Sequence, residues 1–228
     1  MPHYPPVEVK VWGPYACFTR PEMKAERVSY SIMTPSAARG VLEAIFWKPE
    51  FSWQIREIWV LREVRQFSIV RNEVKHKVLI STARRRAAKG GGYFAEDDRT
   101  QRHTLGLRDV AYLVKAEAIL ALHTTDDVAK YRDQFRRRVS RGECHHRPYL
   151  GCREFAAFFG PPDNNEHPIE VSDDLGLMLF DMEYAADGSG RGMPQFFPAK
   201  LEKGKLIIPP KLYSERTAKG IAESTCDP

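Results

Sequence analysis

The order of strand and helix signals along the chain predicts an α+β fold, with a ferredoxin-like antiparallel sheet and both helices on one face. Three observations lead to this prediction. Apolar and polar residues alternate at 7–12, apolar residues recur at helical spacing at 35–48, and a second set of strand and helix patterns follows between 55 and 159. A hydrophobic content of 43% supports a folded globule.

The first strand and the first helix have clear boundaries. The alternation at 7–12 ends at Gly13-Pro14, a pair that terminates strands. Thr34 offers a helix N-cap before Pro35, which suits the first helical position. The apolar stripe that follows lasts until Pro49, so we predict the first helix between these two prolines.

The middle of the chain predicts two long strands. Residues 55–67 and 105–122 are rich in apolar and β-branched residues with interspersed charges. We expect these strands to pair as a long hairpin. The segment between them, at about 68–104, would then form the tip of the hairpin, and we call it the basic arm.

A second helix is predicted after this hairpin. Thr125 and the two aspartates that follow it supply a cap and first-turn acids, and an apolar stripe that includes Tyr131 ends near Gly142. A strand at 153–159 would then complete the sheet. The outer face of the second helix is predicted to carry six basic residues: Lys130, Arg132, Arg136, Arg137, Arg138 and Arg141.

Two further strands are predicted near the C-terminus. They lie at 176–184 and 196–209, and Lys203-Gly204 breaks the second. We therefore expect a ferredoxin-like domain at 1–160, a C-terminal antiparallel β-sheet extension at 161–212 and a flexible tail at 213–228.

The basic arm contains the whole net charge of the protein. Between Arg71 and Arg102 there are nine Lys and Arg against four Asp and Glu, and the full chain is likewise +5. Within the arm, Arg84-Arg85-Arg86 precede three glycines and Tyr93-Phe94. Such a flexible cationic segment suits a polyanion whose bases can stack, or it is a solvated, partly disordered loop. Charge alone does not distinguish these alternatives.

Several classes of protein are not supported. No apolar run approaches the roughly 18 residues that span a bilayer, and the N-terminus does not resemble a signal peptide, so we expect a cytoplasmic protein without membrane contact. The four cysteines lack C-x-x-C spacing and are expected to be reduced. Cys144-His145-His146 with Cys152 lacks the spacing of a zinc site, and no phosphate-binding loop or nucleophile elbow is present. We therefore expect neither a metal nor a cofactor.

Metal-free cleavage of RNA remains compatible with the sequence. In that reaction a 2′-hydroxyl attacks the neighbouring phosphorus, which requires a base, an acid and a cation. Each candidate also has a purely structural alternative: Tyr131 lies on the apolar stripe, Lys130 could be a solvated side chain, and the two histidines could be ordinary surface residues. The candidates are Lys130, Tyr131, Arg132, Arg136, His145 and His146.

Seven blocks of the sequence resemble one known family in the same order. The blocks are VKVWGPYACFT at 9–19, VSYS at 28–31, TPSAARG at 34–40, EAIFWKP at 43–49, DRTQR at 98–102, LRDVAY at 107–112 and YLGCREF at 149–155. Together they resemble the CRISPR-associated Cas-five family in its type I-C form, over about 7–209.

The resemblance implies a fold and a task. The implied fold is an RRM-like, repeat-associated RNA-binding domain with a C-terminal antiparallel sheet. The implied task is metal-independent cleavage of the repeat hairpin in pre-crRNA, after which the protein keeps the 5′ handle of the guide. It would then be a subunit of the Cascade surveillance complex, beside backbone, large and small subunits, and would meet target DNA only through Cascade.

The resemblance also implies candidate site residues. The family pattern has a Tyr where this chain has Phe46, and a Lys-His pair where this chain has Lys130 and Tyr131. If the chain cleaves RNA, Tyr131 could replace the histidine as proton donor, or His145 or His146 could enter from the loop. The candidate catalytic residues are Lys130, Tyr131 and His145, and the candidate RNA-binding residues are Lys48, Arg84, Arg85, Arg86, Lys89, Arg136, Arg137 and His146.

Two other functions stay open. The missing hydroxyl at Phe46 is compatible with a subunit that binds the handle without cutting it. A general RNA-binding domain outside CRISPR is the third alternative, although the aromatic strand motif of the common RNA-recognition module is absent from the sequence.

Overall fold

The computed structural model describes residues 4–76, 78–90, 92, 94–163, 165–184, 190 and 192–214. Within these residues the chain forms a mixed α/β fold around a sheet that is antiparallel except for the short strand β2. Its elements are β1 (Val7–Ala16), β2 (Arg27–Val28), α1 (Pro35–Ile45), β3 (Phe51–Val60), β4 (Arg65–Val74), α2 (Ile80–Lys89), β5 (Arg99–Leu120), α3 (Val128–Arg141), β6 (Phe158–Gly160), β7 (Asp173–Tyr184), β8 (Gly192–Glu202) and β9 (Lys205–Ile207).

The long strand β5 organises the sheet. The strand order is β6-β1-β5-β3-β9-β8-β7, with β2 and β4 also paired to β5. The C-terminal half of β5 lies between β1 and β3, both antiparallel to it. Its N-terminal half pairs with β4, from Arg65 opposite Arg108 to Val74 opposite Arg99. The C-terminal half of β5 therefore belongs to the central sheet, and its N-terminal half forms a hairpin with β4.

Capping residues mark the start of α1 and both ends of α3. The Thr34 hydroxyl accepts a hydrogen bond from the Ala37 N–H at 3.2 Å and Pro35 opens α1, as predicted. Asp127, rather than the expected Thr125, caps α3 by accepting from the Ala129 N–H at 2.9 Å. Gly142 ends α3 in the left-handed conformation, with φ 67°.

The structure corrects the prediction for the basic arm. Residues 55–67 do not form one strand, because β3 ends at Val60 and β4 begins at Arg65. The expected flexible segment around Arg84–Arg86 is instead helix α2, which ends at Gly90 with φ 73°. Alanine and arginine are strong helix formers, so the run at 83–89 stabilises a helix without any buried face. Lys77, Gly91 and Tyr93 of the arm lie outside the described residues.

The predicted strand at 153–159 is mostly a turn. The Leu150 N–H donates to the Phe155 carbonyl at 2.7 Å, and only Phe158–Gly160 pairs with β1. Gly151 has φ 83°, and a Cβ at this position would lie 2.0 Å from the Cys17 carbonyl oxygen. This close approach gives a physical reason for glycine in the YLGC block.

The core lies between the sheet and the two helices α1 and α3. Val9, Val11 and Val114 of the sheet are fully buried, as are Leu42 of α1 and Phe135 of α3. The C-terminal strands appear near their expected positions as β7, β8 and β9, and the break at Lys203-Gly204 separates the last two. Most of the expected tail, 215–228, lies outside the described residues. None of the described helices has the length and apolar character that crossing a membrane requires.

Candidate active site and nucleic-acid interface

The first turn of α3 holds two of the three candidate catalytic residues. Because Asp127 acts as the N-cap, the neighbouring Asp126 carboxylate is available for other partners. Its Oδ2 atom accepts a hydrogen bond from Lys130 Nζ at 2.8 Å and another from the Tyr131 hydroxyl at 2.8 Å. Asp126 therefore joins the two candidates in one cluster.

Tyr131 is both a core residue and a site residue. Its side chain is only 1% exposed and its ring lies 5.0 Å from the ring of Phe51. Only the hydroxyl extends to Asp126 at the edge of the core. Burial, and then the hydrogen bond to Asp126, raise the pKa of Tyr131 to about 12. The phenol consequently keeps its proton at neutral pH.

Further charges surround this cluster. The hydrogen bonds from Lys130 and Tyr131 lower the pKa of Asp126, and the charge of Lys48 lowers it further, so the carboxylate is ionised at neutral pH. The charge of Glu50 contributes to the raised pKa of Tyr131. A groove of about 490 Å³ opens beside Asp126, between the end of β5 and the start of α3. The candidate RNA ligand Lys48 thus lies near the cluster.

The sequence reasoning missed two acids near the cluster, Asp126 and Glu50. Asp126 was interpreted as a helix-terminal acid, although its spacing of four residues from Lys130 is the spacing of a helical ion pair. That spacing was an available signal. Glu50 gave no such signal, because its position depends on the path of the chain between α1 and β3.

The third candidate catalytic residue, His145, lies at the other end of α3. The N–H groups of His145 and His146 donate to the Ala44 carbonyl at 2.8 and 3.2 Å, and both side chains are exposed. At about 1.5 Å rise per residue, α3 separates Lys130 from Gly142 by about 18 Å along its axis. The structure therefore brings Lys130 and Tyr131 together and places the histidine loop beside the end of α1.

Phe46 lies in the core, just after the end of α1. Its ring is 1% exposed and the Arg138 guanidinium lies 5.1 Å from its centroid. Arg138 also donates to the Ile45 carbonyl at 2.9 Å. The next residue, Trp47, is 55% exposed. An exposed indole offers a face on which a nucleic-acid base can stack.

The predicted outer face of α3 is wrong at two positions. Arg132 is 5% exposed, donates to the Pro5 carbonyl and lies over the Tyr4 ring at 4.8 Å. Arg138 is also partly buried, as its contact with Phe46 requires. Residues 4–6 cover this part of the helix, which the periodicity of α3 alone could not indicate. Arg136 and Arg137 are exposed, as predicted for the outer face of the helix.

The cations of the basic arm differ in their surroundings. At its base, Arg71 and Arg102 pair with Glu73, and Arg71 also pairs with Glu154. At its tip, Arg84, Arg85 and Lys89 of α2 are exposed, whereas Arg86 is partly buried and donates to the Gly92 carbonyl at 3.1 Å. Lys75, just after β4, and Arg99, at the start of β5, are exposed as well, and Arg99 pairs with Glu96 at 3.5 Å. Among the described residues of the arm, α2 therefore presents the largest group of cations that is open to a polyanion.

The cysteines and histidines considered for a metal site do not converge. Cys144 is exposed, whereas Cys152 contacts the Cys17 carbonyl at 3.6 Å and the Arg27 guanidinium at 3.8 Å. In the part of the chain that the structure describes, no three His, Cys, Asp or Glu residues are grouped so that they could hold a metal ion.

Comparison with known sequences identifies close relatives. The family described as "CRISPR-associated protein (Cas_Cas5)" matches residues 7–209. A protein of Thermus thermophilus named "CRISPR pre-crRNA endoribonuclease Cas5d" is 48% identical over 92% of this chain and 93% of its own length. A protein of Mannheimia succiniciproducens with the same name is 41% identical over 92% of this chain and 96% of its own length.

Solved structures share the fold. A crystal structure described as a CRISPR-associated protein has a TM-score of 0.64 at 21% identity, over 92% of this chain and 95% of the other. A chain of a "CRISPR RNA-guided surveillance complex" has a TM-score of 0.50 at 13% identity, over 86% of this chain and 90% of the other. At these identities the likeness concerns the fold alone. Because the family match and both relatives span most of the sequence, the chain belongs to the Cas5 family of CRISPR-associated proteins, in its type I-C form, Cas5d.

Proposed function

We propose that this protein is a metal-independent endoribonuclease that cleaves the CRISPR repeat hairpin in pre-crRNA. The observation that carries the proposal is the identity of 48% and 41%, over almost the whole chain, to two proteins named pre-crRNA endoribonuclease. The Lys130–Asp126–Tyr131 cluster supports it, since an exposed cation and the hydroxyl of a buried tyrosine share one carboxylate oxygen.

In the proposed reaction the 2′-hydroxyl of one nucleotide attacks the adjacent phosphorus. The new O2′–P bond forms as the P–O5′ bond breaks. The proton of the 2′-hydroxyl passes to solvent, and the departing 5′-oxygen takes the proton of the Tyr131 hydroxyl, which solvent then restores. The products are a 2′,3′-cyclic phosphate and a 5′-hydroxyl. The Lys130 ammonium would stabilise the charge that develops on the phosphate.

Tyr131 and His145 lie at opposite ends of α3, so we assign them different roles in the reaction. Tyr131 lies beside Lys130, so we assign it to the same phosphate as proton donor, with its phenol protonated at neutral pH. His145 lies at the far end of α3, beside Ala44. We propose that His145 and His146 contact the RNA on the other side of the cut, and that a proton transfer by His145 requires movement of this loop.

RNA binding would use three surfaces. These are the exposed cations of α2 (Arg84, Arg85 and Lys89, with Arg86 beside them), the outer face of α3 with Arg136 and Arg137, and the segment at Trp47-Lys48. Phosphate contacts from such cations fix the position of the RNA and make its affinity depend on salt.

A ferredoxin-like, RRM-like organisation also belongs to the proposal. The elements β1, α1, β3, β5, α3 and β6 follow the order strand, helix, strand, strand, helix, strand, and the sheet order β6-β1-β5-β3 supports this assignment. We propose that this unit corresponds to residues 1–160, that β4, α2 and the start of β5 form the basic hairpin arm, and that 161–212 form the antiparallel extension.

After cleavage the protein would keep the 5′ handle and join Cascade. Its proposed partners are crRNA, the repeated backbone subunit, the large subunit and the small subunits, with target DNA reached through the complex. The cytoplasm, where transcripts and Cascade meet, is the proposed location.

A second candidate is a handle-binding subunit that does not cut. The observation in its favour is Phe46, whose buried ring has no hydroxyl where the family pattern has one. Incubation of the purified protein in excess with labelled repeat RNA in EDTA separates the two functions. We expect one discrete cut in the repeat hairpin and none in an unrelated stem-loop of equal length. Binding of an intact repeat hairpin would favour the second candidate.

A further inference from the structure

One carboxylate oxygen lies at the centre of the candidate active site. Asp126 Oδ2 accepts hydrogen bonds from both Lys130 Nζ and the Tyr131 hydroxyl, each at 2.8 Å. The two donors therefore lie no farther apart than twice that length, close enough to contact one phosphate group. Nothing in the sequence required this, because Lys130 and Tyr131 are adjacent on a helix and their side chains point in different directions.

The cluster is open on one side. The side chains of Asp126 and Lys130 are 42% and 57% exposed, whereas the ring of Tyr131 is held by the core against Phe51. The tyrosine ring thus fixes the position of the hydroxyl, the hydroxyl fixes the carboxylate, and the carboxylate fixes the otherwise mobile lysine. Long lysine side chains lose substantial rotamer freedom when they are ordered, so a preformed pair reduces the entropic cost of contact with the phosphate.

We infer that Asp126 is a positioning residue for RNA cleavage, acting through Lys130 and Tyr131. The inference rests on the proposed endoribonuclease function. Asp126 itself does not contact the reacting atoms, since an ionised carboxylate and a phosphate diester repel each other. Its role is to hold the ammonium and the hydroxyl as one unit that the scissile phosphate meets on its open side.

A stabilising role alone does not account for the arrangement. Exposed ion pairs at a spacing of four residues contribute little to stability, because water and salt screen them. The cap of α3 depends on Asp127 rather than on Asp126. Removal of the Asp126 charge should therefore leave the fold intact, and because it also removes a repulsive charge near the RNA, binding should be unchanged or tighter.

Asp126→Asn is the test, because asparagine has the same shape and still accepts a hydrogen bond from Tyr131. The matched control is Asp127→Asn, which removes the same charge one residue away and retains a good N-cap. We would measure the single-turnover cleavage rate of labelled repeat RNA, the Kd for the same RNA with a 2′-deoxynucleotide at the cut, and the Tm of each variant.

We expect Asp126→Asn to lower the cleavage rate about tenfold or more with Kd within about twofold of the wild-type value, and Asp127→Asn to leave both close to wild type. Asp126→Glu, which keeps the charge but displaces it, should give an intermediate rate. A wild-type rate in Asp126→Asn, or parallel losses of rate, affinity and Tm, would overturn the inference while leaving the endoribonuclease function intact. Absence of cleavage by the wild-type protein would instead overturn the proposed function and the inference with it.

Discussion

Single residues on α3 acquire different tasks from small differences in position. Lys130 and Arg132 are two residues apart, yet the side chain of Lys130 is 57% exposed and Arg132 is 5% exposed. A helix turns about 100° per residue, so two positions move a side chain to nearly the opposite face. Arg132 fastens residues 4–6 to the helix, and Lys130 remains at the surface, where a phosphate can reach it.

Replacement of Lys130 by alanine tests its role in the reaction. If the ammonium stabilises charge that develops only in the transition state, Lys130→Ala should lower the single-turnover cleavage rate by about tenfold or more and change Kd by less than about threefold. Arg136→Ala is the comparison, since Arg136 is exposed on the same helix and forms an ion pair of 3.8 Å with Asp133. As a proposed phosphate ligand away from the cut, Arg136 should affect Kd more than the cleavage rate. Equal losses of rate and affinity in Lys130→Ala would make Lys130 a binding residue.

The sequence could predict part of this site at the residue level. The apolar periodicity placed Tyr131 in the core and the charge pattern placed Lys130 at the surface, and the structure confirms both positions. The pairing of Lys130 with Asp126 was indicated by their spacing of four residues. The hydrogen bond from Tyr131 to the same carboxylate could not be predicted, because it depends on which of two adjacent aspartates caps the helix. The separation of His145 from Lys130 likewise required the structure.

For the helices, we expect replacement of two glycines by alanine to have opposite effects on stability. Gly142 has φ 67° at the C-cap of α3, a conformation that alanine adopts only with strain. Gly40 lies inside α1, and in the described part of the chain no heavy atom other than those of its neighbours and of the helix backbone lies within 4 Å of the position a Cβ would take. Gly142→Ala should lower the free energy of unfolding by about 1 kcal/mol, whereas Gly40→Ala should raise it by about 0.4–1 kcal/mol.

Urea denaturation of the two variants and the wild-type protein measures both effects. The pair is informative because the chemical change is identical and only the local backbone differs. Changes of the same sign in both variants would contradict the position of Gly40 inside α1 or that of Gly142 at the end of α3.

The exposed arginines of α2 are expected to make the RNA affinity depend on salt. Arg84 and Arg85 are exposed on a helix without a buried face, so their replacement should not affect stability. If each contacts one phosphate, Arg84→Ala/Arg85→Ala should reduce the slope of log K against log[salt] by up to about two units. Lys200→Ala/Lys211→Ala, which removes the same charge from exposed positions near the C-terminus, should leave the slope unchanged. An unchanged slope in the α2 variant would exclude α2 from the RNA interface.

Elements with clear local signals were predicted well, and those shaped by distant contacts were not. The Thr34-Pro35 start of α1 and the apolar stripe of α3 appear in the structure as expected. The break between β3 and β4 was missed, because both strands pair with one long strand and nothing in residues 55–67 indicates the change. The helix α2 was missed because charge and the nearby glycines suggested a loop, although its alanines favoured a helix.

At the scale of the whole molecule, buried tyrosines link stability to alkaline pH. Burial raises the pKa of Tyr131 and Tyr213 to about 12, and it also raises the pKa of Tyr30 and Tyr112. In the unfolded chain tyrosine titrates near about pH 10. As pH rises, the unfolded state therefore releases these protons first, and the free energy of unfolding is retained below about pH 10 and falls between about pH 10 and 12.

Urea denaturation across this pH range, combined with tyrosinate absorbance, measures the effect. Part of the absorbance should appear only when the protein unfolds, and Tyr131→Phe should show a smaller loss of stability than the wild-type protein. Full tyrosinate absorbance in a protein that remains folded, with unchanged stability, would contradict the buried positions of these rings.

The C-terminal strands join the same sheet as the N-terminal strands. The sequence predicted strands beyond residue 161, but not that β9 would pair with β3 and so extend the sheet through β8 to β7. Such lateral order depends on contacts between residues about 150 positions apart, for which a single sequence offers no local signal. The position of this extension relative to the helices therefore came from the structure.

In the proposed reaction the protein uses the RNA's own 2′-hydroxyl to cut the repeat without a metal. The most direct measurement is single-turnover cleavage of the repeat hairpin in EDTA, with and without one 2′-deoxynucleotide directly upstream of the mapped cut. We expect the all-ribose hairpin to be cut to a 2′,3′-cyclic phosphate, and the deoxy hairpin to bind with equal affinity and remain intact. Cleavage of the deoxy hairpin, or loss of all cleavage in EDTA that added divalent metal restores, would contradict the claim.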